Sequence, residues 1–246
     1  MGAKAYSLIG TVYMALLNSS KVRVGGYKQV GNVYPFSLQV TTEQKKQISR
    51  MVENAGQTLH AKTTITDIAG SMILREWIAE TLAWGLSGGT AAMVGEAGTV
   101  SAESITVVLD EWVPLSKKGV SSVVAGAHVE GTDYKVNAAL GLFMGLSSGG
   151  ISAGALSVDF SYAAESGYKV DIGSNALIRV AILIEGKNEE DGTAMTMEFD
   201  SVVLASSAEL NLISDPDTDY EQIPFALSFE TLAGNTSPGR INGVPL

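Results

Sequence analysis

Apolar and polar residues alternate along much of this chain, the period that turns one face of a strand to a core and the other to water. Phe36, Leu38 and Val40 alternate with Ser37, Gln39 and Thr41, and Ile105, Val107 and Leu109 follow the same rule. Leu156, Val158, Phe160 and Tyr162 alternate with Ser157, Asp159 and Ser161. Residues 176–185 are nearly all apolar in both phases, Arg179 and Glu185 excepted, which predicts a central strand covered on both faces. The chain then turns at Glu190-Asp191-Gly192 and returns through Met195, Met197 and Phe199. Asp-Gly supplies the positive-φ position of a tight turn, so this pair reads as a hairpin. Phe225, Leu227 and Phe229 form one more strand. The apolar run from Ala5 to Leu17 follows Lys4 as a signal-peptide core would, but Gly10, Thr11 and Tyr13 interrupt it and no small-x-small site follows. It is also shorter than the roughly 20 residues a spanning helix needs. It reads as a buried strand, and no other run approaches membrane length.

One segment changes period. Between Ser71 and Trp84, Ile73, Leu74, Trp77, Ile78 and Leu82 recur at helical spacing, with Arg75, Glu76, Ala79, Glu80 and Ala83 opposite. The pattern predicts an amphipathic helix of about four turns, capped by Ser71 and ended by Gly85 in a left-handed conformation. Thr42 to Val52 predicts a second, shorter helix. Ser87–Ser101 and Ser147–Gly154 read as Gly/Ala-rich loops, and Val120–Val129 as a strand containing His128. The sum is a mainly β chain: a two-sheet β-sandwich or partly closed barrel with one flanking amphipathic helix. Residues 1–234 read as a single domain and 235–246 as a C-terminal arm or tail.

Composition narrows the function. The chain has 246 residues, 46% of them apolar, enough for a sizeable core. Cysteine is absent, which removes disulfides, thiolate nucleophiles and thiolate-bound zinc. The net charge of −10 argues against a grip on nucleic-acid phosphates. The charge is lopsided: 12 basic and 11 acidic residues through Gly150, then 4 basic and 15 acidic. Residues 1–62 carry 8 basic and 2 acidic groups. Ordinary surface charge for solubility accounts for such a distribution, and so does attraction between opposite ends of neighbouring copies.

Reactive constellations are sparse. Two pentads match G-x-S-x-G, around Ser87 and Ser147, but neither sits at a strand-to-helix turn and no suitably placed Asp and then His follows either, the last histidine being His128. Asp215-Pro216-Asp217-Thr218-Asp219 imitates a calcium loop, with Tyr220 where the turn needs glycine. It reads as a solvated acidic turn. Glu189, Glu190 and Asp191 crowd a hairpin tip, where such charges face water. His60 and His128 read as structural histidines rather than ligands, and Trp77, Trp84 and Trp112 as core or interface anchors. The expectation is a non-enzymatic structural protein with no cofactor or metal. A carbohydrate-binding β-sandwich or adhesin is the rival, although Phe160, Tyr162, Phe225 and Phe229 occupy core-facing phases.

The order of short motifs adds a resemblance. Gly10-Thr11-Val12-Tyr13-Met14-Ala15 precedes a short basic hairpin and then Tyr27-Lys28-Gln29-Val30-Gly31-Asn32-Val33. Leu82-Ala83-Trp84-Gly85-Leu86-Ser87-Gly88, Glu111-Trp112-Val113-Pro114-Leu115 and Gly131-Thr132-Asp133-Tyr134 follow. Phe160-Ser161-Tyr162, Ile184-Glu185-Gly186-Lys187-Asn188 and Asp191-Gly192 complete the series. From Tyr6 to Leu232 this succession resembles the major tail tube proteins of long-tailed bacteriophages. The resemblance implies a tail-tube fold, related also to the ring protein of type VI secretion. Its subunits form hexameric rings stacked head to tail around a tape-measure protein. Tail terminator and distal tail or baseplate proteins would meet the tube ends, and DNA would cross the lumen without specific binding. The location implied is the virion tail, assembled in the host cytoplasm, with no membrane partner. Inter-ring contacts are expected near 19–30 and 87–101, with Lys21, Arg23, Tyr27, Lys28, Trp77 and Trp84 as interface candidates.

Overall fold

The computed structural model describes residues 7–213 and 220–243; the acidic turn at 215–219 lies outside them. Strands β1 (Leu8–Leu16), β2 (Lys28–Gln29), β3 (Val33–Ile48) and β4 (Thr58–Leu74) lead to helix α1 (Ala79–Gly85). Then come β5 (Gly89–Gly95), β6 (Gly98–Val107), β7 (Val113–Pro114), β8 (Val120–Val124), β9 (Tyr134–Asn137), β10 (Leu142–Gly145), β11 (Gly154–Tyr162) and β12 (Glu165–Asp171). The chain ends with β13 (Ile178–Asn188), β14 (Ala194–Ser206), β15 (Ile223–Phe229) and β16 (Gly239–Gly243). The fold is mainly β, with antiparallel sheets and no closed barrel among the described residues. Two compact units divide the chain: Met1–Thr90 with Val170–Leu246, and Ala91–Lys169.

The first unit is built on one sheet in the order β2-β1-β13-β14-β15-β4-β3, with β16 also beside β14. Its core gathers Met14, Val30, Met72, Leu74, Val180, Ile182, Val202, Leu204, Phe225 and Leu227, with Trp84 from α1. Full burial of each large side chain contributes about 1.5–3 kcal/mol. The doubly apolar segment is β13, flanked on both sides by β1 and β14 as its composition predicts. The expected hairpin is β13–β14, turning at 189–193.

In the second unit, sheets β7-β10-β9 and β6-β11-β8 share one core. Phe143, Val158, Phe160 and Val107 are fully or almost fully buried there. Tyr134 stacks on Phe143 at 4.9 Å, and its hydroxyl donates to the Val123 carbonyl at 2.8 Å. β5 and β12 form a separate two-stranded sheet.

Four local expectations are corrected. The helix expected over 71–84 is a strand up to Leu74 and a helix only from Ala79. Ile73–Leu74 and Trp77–Ile78 fit a helical period, but Met72 and Leu74 also alternate. Strand neighbours decide it, because β4 is paired by both β15 and β3. The short helix starts with Ile78 N–H donating to Thr81 Oγ1 at 2.9 Å. Ser87, not Gly85, takes the positive φ after it. Gly85 instead lies against Ile223, where a Cβ would clash. The helix expected over 42–52 is the outer half of β3, held in register opposite Thr58–Ile65. The 87–101 loop is largely β5 and the start of β6, the latter paired to β11 through β-branched Thr99 and Val100. His128 lies beyond the end of β8, in a turn where its N–H donates to the Ala125 carbonyl.

Candidate interaction surfaces

The longest strands make the most exposed feature. β15 pairs with β4 only over Ala69–Leu74, so residues 58–68 have β3 as their sole ladder partner among the described residues. From Ser37 to Ile48 every β3 residue is exposed, and so are the first ten of β4. The result is a two-stranded arm, a form that is marginally stable on its own in water.

Its two faces differ. Phe36 and Met72 are paired and pack on the core, and the same face continues outward through Leu38, Val40, Ile65 and Ile48. Those four are 45%, 47%, 60% and 57% exposed, and Val52 at the tip is 99% exposed. Leu38, Val40 and Ile65 form an apolar patch of the kind that marks an interaction surface, and Gln44 and Lys46 on the same face separate it from Ile48. On the other face Lys45 stands directly opposite Lys62, and His60 opposite Gln47. Glu43 approaches Lys45 at 3.9 Å. Across 41–66 the arm carries Lys45, Lys46, Arg50 and Lys62 against Glu43 and Glu53.

The basic 19–30 segment is, by contrast, tied down. Asn18 Oδ1 accepts from the N–H groups of Ser20 and Val22, and Lys21 adopts a φ of 60°. Lys21 Nζ meets Glu230 at 3.0 Å, Arg179 Nε donates to the same carboxylate at 3.0 Å, and Ser201 Oγ donates at 2.8 Å. Arg179 foremost, then Lys21 and Ser201, hold the Glu230 carboxyl down to about 2 against the opposing effect of desolvation. Arg23 lies over the Tyr27 ring at 5.1 Å. Lys28 pairs with Glu80 and lowers its pKa. Trp77 is half exposed, whereas Trp84 belongs to the core. Thus Lys21 and Lys28, expected as interface candidates, have ion-pair partners within their own chain.

Two hollows adjoin this segment. One of about 490 Å³ is lined by Lys21, Arg23, Tyr27, Leu183, Glu198, Phe199 and Arg240 among others. One of about 360 Å³ lies over Met14, Gly25, Lys28, Glu80, Trp84 and Gly88. Ser87 and Ser147 are turn residues; the Ser147 side chain foremost, and then its N–H, which donates to Asp110 at 3.1 Å, lower that carboxyl's pKa. Asp133 accepts from Val129 and Gly150 N–H, which lowers its pKa, and stands 3.8 Å from His128 Nδ1. No hydrogen bond joins either serine hydroxyl to His128 among the described residues. His60 is exposed on the arm. No helix among the described residues is long and apolar enough to cross a membrane.

The sheet of the first unit also ends in uncovered strands. β3 is its edge on one side. On the other, β2 covers only Tyr13 and Met14 of β1, and no described strand lies outside Leu8–Thr11.

This geometry defines a class: an antiparallel β protein whose open features are a bare ribbon and free strand edges. Residues 5–239 match the model of a family described as protein of unknown function UCP028589, and the chain belongs to that family. No curated protein matches it.

Proposed function

We propose that the chain is a structural subunit that assembles with copies of itself into stacked rings, a hollow tube of the bacteriophage-tail kind. The observation that carries this reading is the arm: its core-facing side continues into an apolar patch that its own chain leaves bare. Covering that patch with a second copy would bury several large side chains, each worth about 1.5–3 kcal/mol when fully removed from water. The uncovered edges at β3 and β1 add support, since joining strands around a ring removes edges that otherwise invite aggregation. Head-to-tail contacts of this type extend along an axis without closing. Hexameric rings, a tape-measure partner, terminator and baseplate proteins at the ends, DNA passing through the bore, and a place in the virion tail complete the proposal. They come from the motif resemblance.

Negative-stain microscopy and light scattering of the full chain test it. Rings or tubes are the expected outcome, and a persistent monomer at high concentration overturns it. Ile48→Asp with Ile65→Asp, both at exposed positions, should leave a folded monomer and abolish the assemblies.

A further inference from the structure

β14 carries two strands end to end on one side. β13 pairs with β14 from Ala194 to Leu204 and so occupies its other side. β15 pairs with Val202–Ser206 and β16 with Met195–Phe199, both antiparallel, so they run in the same direction in line with each other. Between Phe229 and Gly239 the chain spends nine residues, 230–238, to pass only Asp200 and Ser201 of β14. Extended, nine residues reach on the order of 30 Å. The connection therefore holds far more chain than its present path requires.

Both ends of that connection touch β14: Glu230 N–H donates to the Ser201 carbonyl at 2.9 Å, and Asp200 N–H donates to the carbonyl of buried Pro238 at 3.1 Å, which leaves 231–237 as the surplus. At its start, Glu230 is fixed by Arg179, Ser201 and Lys21. Midway, Asn235 Nδ2 donates to Asp200 at 2.8 Å. β16 itself rests on five backbone pairs and no buried side chain: Arg240, Ile241 and Asn242 are all exposed. Arg240 adds a surface pair with Glu198 at 2.7 Å, and Gly239 lies close on the Glu198 carbonyl, where a side chain would not fit. No ladder joins β16 to β4. A strand with so little buried is among the first to open. The family match ends at residue 239, the first of β16, so the other four residues of this strand lie outside the matched region.

From the in-line placement, the surplus connection and the shallow hold, we infer that β16 is an exchanged strand: in the assembled protein, Gly239–Gly243 of one copy pairs with Met195–Phe199 of the next. The inference rests on the self-assembly proposed above. Every contact β16 makes at home is offered unchanged by a second copy, so exchange costs no contact and links the two chains. The vacated edge of β14 is refilled in the same register by an identical strand.

The chain has no cysteine, which makes a disulfide readout clean. Thr196 and Asn242 are paired across β14 and β16 and are both exposed, within the span a disulfide bridges. Thr196→Cys with Asn242→Cys, assembled and then oxidised, should give a ladder of covalent dimers and higher species on a non-reducing gel. Monomers carrying only an internal bridge, from particles that have formed, overturn the exchange and leave self-assembly standing. If the double variant does not assemble, Thr196→Cys copies mixed with Asn242→Cys copies carry the test. Covalent pairs joining the two variants support exchange, and their absence from formed particles overturns it. Wild-type protein that never assembles defeats both proposals.

Discussion

Glu230 shows how much one side chain organises here. Its carboxylate collects Arg179, Lys21 and Ser201, and so fixes the 18–23 turn to the sheet. Its folded pKa of about 2 lies below the ordinary 4.5. A depressed carboxyl contributes stability that is complete above the unfolded value and drains away as pH falls from about 4.5 toward 2. With about a quarter of the carboxylate side chain still reached by water, the contribution is discounted to on the order of 2 kcal/mol. Glu230→Gln should lose stability of that size at pH 7 and show a flatter acid limb, read by urea titrations at pH 7 and pH 3. None of this was legible in the sequence, because Glu230 lies 51 residues from Arg179 along the chain and no local pattern couples them.

At the scale of elements, period-two alternation located β6, β11, β14 and β15, since each has a core face that selects apolar residues, and continuous apolar runs located β1 and β13. It failed on the arm for the opposite reason. With both faces in water, Thr42–Ile48 is under no demand to alternate, and Glu43, Gln44, Lys45, Lys46 and Gln47 suit a helix equally well. The surviving signal was the β-branched run Thr63-Thr64-Ile65-Thr66 on the partner strand. The 71–84 segment misled because adjacent apolar pairs satisfy two periods at once. On the arm, Lys45 faces Lys62, and like charges directly opposite weaken a ladder. Lys62→Glu should firm the isolated ribbon by about 0.5 kcal/mol, slowing hydrogen exchange over 42–48. It should also weaken assembly, measured by sedimentation.

For the whole molecule, two separate cores predict two melting events. Phe143 is buried in the core of 91–169 and Phe225 in that of the other unit. Phe143→Ala and Phe225→Ala should each cost about 3–5 kcal/mol, and in calorimetry each should lower a different transition. A single transition shifted alike by both would show that the units melt as one. The sequence's charge asymmetry also changes meaning at this scale. Lys21 and Lys28 are spent on Glu230 and Glu80, which leaves Lys45, Lys46, Arg50 and Lys62 on the arm as the main N-terminal positive charge.

That placement bears on how the protein survives before it has neighbours. A 16-residue edge strand with a greasy face is the kind of segment that zips into fibrils. Two arms laid against each other in register would crowd four ammonium groups together, so the paired lysines guard the newly made chain against its own kind of disorderly stacking.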